Sequence, residues 1–245
     1  MTTRKVQNPN AKGGSAFIWA VAAVIAIAAL VIGLIIFNGN NERNEAREAA
    51  KADMSGITVE WAEGEGVIHL KGANVDAPTG QLFEDFACGH CATLHMTTDA
   101  DMLQALRDGS INVELRPMVF QDRGAVGHST NSLAAVLALI NHGDIDTAFT
   151  LRDYLFVNQQ QVYNTMNPDK LADLAKDYGA SEEAVADIRE STFVEAAQSM
   201  GSDNIQLQQD ETGEAWTPRV RFDGEDIEGV SEEGTTWVEV LSESK

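Results

Sequence analysis

Cys88 and Cys91 are the only cysteines in the chain, and they sit three residues apart in Phe86-Ala87-Cys88-Gly89-His90-Cys91-Ala92-Thr93-Leu94-His95. A chain that places both of its thiols in one Cys-x-x-Cys uses them for redox chemistry or metal binding, because no other cysteine remains to build a disulfide framework. Haem attachment requires a histidine directly after the second cysteine, and Ala92 occupies that place. Zinc could recruit Cys88, Cys91 and His95, but a closed tetrahedral site needs four ligands and no second cysteine pair or His-x-x-x-His supplies the fourth. A purely structural disulfide across so short a loop would remove little chain entropy. Dithiol–disulfide exchange is the favoured chemistry, with a metal-binding or peptide-binding module as the rival from another class.

The elements that position the pair follow from the hydrophobic pattern. Strands are expected at Ile57–Trp61, Val67–Lys71, Gln81–Ala87 and Ile111–Phe120. An amphipathic stretch, His90–Arg107, separates the last two, with Leu94, Leu103 and Leu106 on one face. Strand, helix and strand at this spacing form a βαβ unit. Cys88 then falls where a buried strand gives way to a helix, and the free N–H groups and partial positive charge of that helix start favour its thiolate. This makes Cys88 the expected nucleophile and Cys91, one turn further in, the resolving thiol. His90 can donate a hydrogen bond or a charge to the Cys88 sulfur, and stabilising the reduced form makes the disulfide a stronger oxidant.

From about 122 to 214 the pattern turns helical, with four or five helices expected; Asn167-Pro168-Asp169 and Ala180-Ser181-Glu182 are start signals for two of them. Leu133–Ile140 is too short to span a bilayer and reads as buried core. Strands return at Thr217–Phe222 and Glu225–Val230 around an Asp223-Gly224 hairpin turn, and Glu232–Leu241 closes the chain as a helix.

Ala16 to Phe37 carries no charged residue. It is long enough to cross a hydrocarbon core of about 30 Å, so it reads as a transmembrane helix rather than a cleaved signal peptide. Arg4, Lys5 and Lys12 precede it without any acidic residue, which keeps residues 1–15 in the cytoplasm and exports the rest. The expected organisation is a cytoplasmic start (1–15), an anchor (16–37), a stalk (38–55) and one extracytoplasmic domain (56–245). The formal net charge is −21, which argues against nucleic acid and anionic lipid headgroups as partners.

The order βαβ, helical block, ββα resembles the DsbA family of thioredoxin-fold proteins, in particular the membrane-anchored forms of Gram-positive bacteria. The resemblance covers roughly Val67 to Leu241 and rests on Phe83-Glu84-Asp85-Phe86-Ala87-Cys88-Gly89-His90-Cys91, the helical block and Thr217-Pro218. It implies an α/β thioredoxin fold with a helical insertion and a cis-proline, Pro218, beside the redox pair. Thr217 and Gly89 would face an extended substrate segment. It also implies exported proteins with reduced cysteines as substrates, an unidentified membrane or small-molecule reoxidant, and no cofactor or metal. Disulfide donation is expected, with reductase or isomerase activity as the alternative.

Three departures from the family pattern stand out. Gly89-His90 is similar to the dipeptide of protein disulfide isomerases rather than to Pro-His. Leu82 stands where thioredoxins carry a buried acid that moves protons at the second cysteine, leaving Glu84 or Asp85 to substitute or the step to go unassisted. Arg219 and Arg221 follow Pro218 where apolar or small residues are usual; Arg219 would further favour the thiolate if it reached the site, and pairing with nearby acids is the favoured reading. His95, one turn beyond Cys91, is expected either to line the groove or to face solvent. His69, His128 and His142 carry no motif.

Overall fold

The computed structural model describes residues 51–227 and 236–244. The expected anchor at 16–37 lies outside them; among the described residues no helix is long and apolar enough to cross a membrane. The expected stalk overlaps them only at 51–55. There the chain is already tied down, since the Ala52 N–H donates to Thr150 Oγ1 (2.9 Å), the Met54 N–H donates to Asp146 Oδ1 (3.0 Å) and the Met54 side chain is buried. The folded unit therefore begins several residues before 56.

Strands β1 (Thr58–Glu60), β2 (Ile68–Lys71) and β3 (Thr79–Glu84) are followed by helix α1 (Gly89–Arg107) and strand β4 (Asn112–Pro117). A 3₁₀ turn, Phe120–Asp122, leads into α2 (His128–Asn141), α3 (Ile145–Val157), the single turn α4 (Gln159–Val162), α5 (Pro168–Asp177), α6 (Glu182–Glu190) and α7 (Val194–Thr212). Strands β5 (Arg219–Phe222) and β6 (Glu225–Asp226) and helix α8 (Trp237–Glu243) complete the described chain. The sheet runs β1-β2-β4-β3-β5-β6, with β3 and β4 parallel and every other neighbouring pair antiparallel. Leu82 at its centre lies opposite Leu115 on one side and Val220 on the other. All three are buried, as expected of strands covered on both faces.

Local chemistry explains the boundaries. Pro168 opens α5 behind an Asn167 side chain that accepts from the Lys170 N–H at 3.0 Å. Ser181 Oγ caps α6 by accepting from the Ala184 N–H at 3.3 Å. Both are side-chain types that satisfy the unpaired N–H groups of a helix start, and proline fits its first turn. Asp223 and Gly224 both take positive φ, 49° and 83°, as a two-residue hairpin of the favoured twist requires. The closing helix begins at Trp237 because Thr236 and Glu239 form a capping box. Residues 228–230 of the expected return strand and 232–235 of the expected last helix lie outside the described residues.

The third and fourth strands each stop three residues before their expected ends. The third starts at Thr79 and stops at Glu84 instead of running to Ala87, because Asp85 turns the chain: its carbonyl accepts from the Cys88 N–H (2.9 Å) and its carboxylate from the Ala87 N–H (2.8 Å). The fourth stops at Pro117, which has no N–H to continue a ladder, and the next residues enter the 3₁₀ turn. Leu133–Ile140 is buried throughout, within a core shared by the sheet, α1 and the helical block.

Candidate active site

The Asp85 turn delivers Cys88 to the N-cap position of α1, in extended backbone geometry (φ −87°, ψ 115°). Cys88 and Cys91 are both free thiols and both buried. The Cys88 pKa is lowered to about 5, chiefly because the Cys91 thiol donates a hydrogen bond to its sulfur. Burial opposes that shift; the Thr217 side chain and the backbone N–H groups of Cys91 and His90 add to it. Cys91 is pushed the other way, well above the ordinary thiol range, first by burial and then by its bond to Cys88. The Asp85 N–H points at its sulfur from 3.4 Å. The two thiols of one turn are thus shifted in opposite directions, an arrangement that suits the outer one to nucleophilic attack and the inner one to holding a proton.

Thr217-Pro218 is a cis peptide bond. The Cys88 sulfur lies 3.4 Å from the Thr217 carbonyl oxygen, which places the start of β5 directly against the pair. Gly89 and His90 are exposed on the outer side of the turn, and a Cβ at Gly89 would meet nothing within 4 Å. His90 contributes its backbone N–H to Cys88, where the sequence pointed to its ring.

Below the pair lies a buried ionic cluster assembled from three elements. Arg152 of α3 makes a two-pronged contact with Glu84 of β3 (2.8 and 2.7 Å) and reaches Asp99 of α1 at 2.5 Å. Its guanidinium also sits 5.4 Å from the Phe156 ring centre. His95 is neither in the groove nor in solvent; its ring is buried, stacked on Phe156 and bonded to Asp153 at 2.9 Å. Neither candidate substitute for the acid missing at Leu82 is free. Glu84 is held by Arg152, and the Asp85 carboxylate accepts from Ser129 Oγ (2.5 Å), the Gln121 N–H (3.0 Å) and the Ala87 N–H. Burial nevertheless raises the Asp85 pKa to about 6.

Arg219 pairs with Asp226 at 2.7 Å and stacks on Trp216 with 3.7 Å to the ring centre, while Arg221 bonds Glu211 and the Gly224 carbonyl. Both arginines are consumed by local acids, as expected. His69 lies 3.9 Å from Glu114, His142 bonds Asp187 at 2.7 Å and His128 packs edge-on against Tyr163. Among the described residues no group of three or more histidine, cysteine, aspartate or glutamate side chains is arranged to hold a metal ion. Arg152, Asp99, Asp153 and Ser129 do not stand out in the sequence; their contact with the site depends on how helices fold back over it, and no local motif announces that.

The thioredoxin family model matches residues 72–237, a span that contains the pair, the helical block and the cis-proline. A structure of MdbA, a thiol-disulfide oxidoreductase from Corynebacterium diphtheriae, is 33% identical and superposes with a TM-score of 0.73 over 80% of this chain and 98% of that one. The chain belongs to the DsbA-like branch of the thioredoxin family. Among its DsbA-like relatives, MdbA of Corynebacterium matruchotii is 26% identical, with a TM-score of 0.73 over 81% of this chain and 98% of its own. DsbA from Mycobacterium tuberculosis, 15% identical with a TM-score of 0.54 over 67% of this chain and 85% of its own, shares the fold. No curated protein sequence matches the chain.

Proposed function

We propose that this DsbA-like protein is a membrane-anchored, extracytoplasmic oxidase that donates its Cys88–Cys91 disulfide to newly exported proteins. The observation that carries the reading is the placement of the two thiols, with Cys88 at the helix N-cap against the cis Thr217-Pro218 and Cys91 buried one turn further in. With the Cys88 pKa lowered to about 5, the reduced form is stabilised as a thiolate at neutral pH, and a stabilised reduced form makes an oxidising disulfide. The two corynebacterial relatives, each named a thiol-disulfide oxidoreductase, support the same chemistry. The charge-free segment Ala16–Phe37 behind a basic N-terminus supports anchoring and export.

In the forward reaction a substrate thiolate attacks Cys88 Sγ, the Cys88–Cys91 bond breaks and its electron pair leaves on Cys91. A second substrate thiolate then attacks the substrate sulfur of the mixed disulfide and expels Cys88 as thiolate. The substrate dithiol loses two electrons and the enzyme disulfide gains them. His90 and Gly89 flank the attack from the exposed side, and the Thr217 backbone beside Pro218 pairs with the extended substrate. A quinone-coupled membrane protein or a small oxidant restores the disulfide.

Mixing the oxidised full-length chain with a reduced, unfolded test protein and trapping free thiols in acid tests this directly. The expected result is disulfide formation in the test protein matched by loss of the Cys88–Cys91 disulfide, and none with Cys88→Ser. Disulfides formed equally well by Cys88→Ser would overturn the assignment.

A further inference from the structure

Cys91 must gain a proton whenever its disulfide is reduced and lose one whenever the disulfide is remade, yet it is only 2% exposed. Leu82 offers it no exchangeable proton. Glu84 and Asp99 are both locked to Arg152, and the Asp85 carboxylate is occupied by three donors. One group nearby has a different arrangement. His95 lies four residues beyond Cys91 and so on the same face of α1. Both residues line one small cavity of about 10 Å³, the size at which a single water fits.

The two ring nitrogens of His95 are placed unequally. Nε2 is 2.9 Å from Asp153 Oδ1, and the Asp153 side chain is 52% exposed, so this end reaches solvent. With Nε2 donating to that carboxylate, the neutral ring carries its lone pair on Nδ1. Nδ1 is buried, makes no hydrogen bond and lies 3.3 Å from Asp99 Oδ1. The charged groups around the ring are Cys91 and Asp99 from α1, Asp153 and Arg152 from α3, and Glu84 from β3 across the same cavity. Burial disfavours the imidazolium, but the Asp153 and Asp99 carboxylates on the two sides of the ring outweigh burial and the repulsion of Arg152, and the His95 pKa is raised.

We propose that His95 carries the proton between the Cys91 sulfur and solvent, exchanging it with Cys91 through the shared cavity and with bulk water through Asp153. This rests on the dithiol reading above. When a substrate thiolate breaks the Cys88–Cys91 bond, the leaving Cys91 thiolate takes the proton from His95, which is recharged by way of Asp153. In reoxidation the Cys91 thiol gives its proton to neutral His95. The resulting thiolate attacks the Cys88 sulfur of a mixed disulfide and expels the other sulfur as thiolate.

The step that isolates this transfer is resolution of a Cys88–glutathione mixed disulfide, followed by acid quench after mixing the reduced full-length chain with oxidised glutathione. Near neutral pH His95→Gln should slow resolution by about tenfold or more, the lower end of what positioned acid–base groups contribute. The deficit should close as pH rises and hydroxide takes over the deprotonation. Asp153→Asn, at the surface, should slow resolution in the same direction while leaving the Cys88 titration unchanged. Resolution in His95→Gln within about twofold of the unsubstituted rate, or slowed equally at every pH, overturns the proposal. If His95→Gln does not fold, an unchanged rate in Asp153→Asn overturns it instead. Failure of the unsubstituted protein to form any adduct at Cys88 would instead bring down the oxidoreductase reading; an adduct that resolves without regard to His95 removes only the proton route.

Discussion

Cys88 owes its acidity first to Cys91, and that dependence can be measured at the level of one atom. The thiolate absorbance of the reduced protein should titrate with a midpoint of about 5. Cys91→Ala should move it up toward the ordinary thiol value of roughly 8.5, since the leading hydrogen bond to the sulfur is lost. The sign for stability follows. A thiol whose folded pKa is depressed stabilises the fold most above its unfolded value and loses that contribution as pH falls through the folded value. The reduced protein should therefore lose stability relative to the oxidised protein between about pH 8 and 5, visible in paired urea titrations. Arg152 carries a second residue-scale prediction. Arg152→Met leaves the buried Glu84 and the half-buried Asp99 without their cation, and breaking such a buried pair costs about 3–5 kcal/mol. Asp99 is held below the usual carboxylate range, with burial opposing and the Arg152 charge leading the lowering. Its contribution is therefore present above about pH 4 and lost below it. Denaturation of Arg152→Met and the unsubstituted protein should accordingly converge as the solution is acidified.

At the scale of elements, β2 and α1 meet closely at the end of the helix far from the redox pair. A Cβ at Gly72 would lie 1.8 Å from the Leu106 carbonyl oxygen and 2.7 Å from its carbonyl carbon, so the residue just past β2 touches the backbone at the end of α1. Gly72→Ala must push them apart and should cost about 1–3 kcal/mol in urea unfolding, as overpacking does. The Cys88 titration midpoint should stay unmoved, because that cysteine sits at the other end of α1. Much of this layout is legible in the chain. The Leu94, Leu103 and Leu106 spacing places α1, Asn167-Pro168 and Ser181 place two helix starts, and Asp223-Gly224 places the hairpin, because each is a local signal with a local cause. The end of β3 is hidden for the opposite reason. Phe86 and Ala87 continue an apolar run, and only the Asp85 carboxylate, engaged by Ser129 and Gln121 from beyond β4, shows that the strand has already stopped.

For the whole molecule, what can be read from sequence divides along the same line. Cys88 and Cys91 are identifiable as a site because their type and spacing carry a known chemistry, and Thr217-Pro218 joins them through the resemblance to the DsbA family. The ionic cluster beneath them is not, since Arg152 lies 68 positions from Glu84 and reaches it only when the helical block folds over the βαβ unit. On the proposed function, the fold as a whole is tuned to give disulfides away. Attacking cysteines of about pKa 7 in thioredoxin and about 3.5 in DsbA accompany potentials of roughly −270 and −120 mV. The value of about 5 at Cys88 lies between them. The equilibrium reduction potential of the Cys88–Cys91 pair in glutathione buffers is therefore the deciding measurement. A potential more oxidising than roughly −200 mV is the predicted result, and one near roughly −270 mV would contradict donation and assign the pair to a reductase.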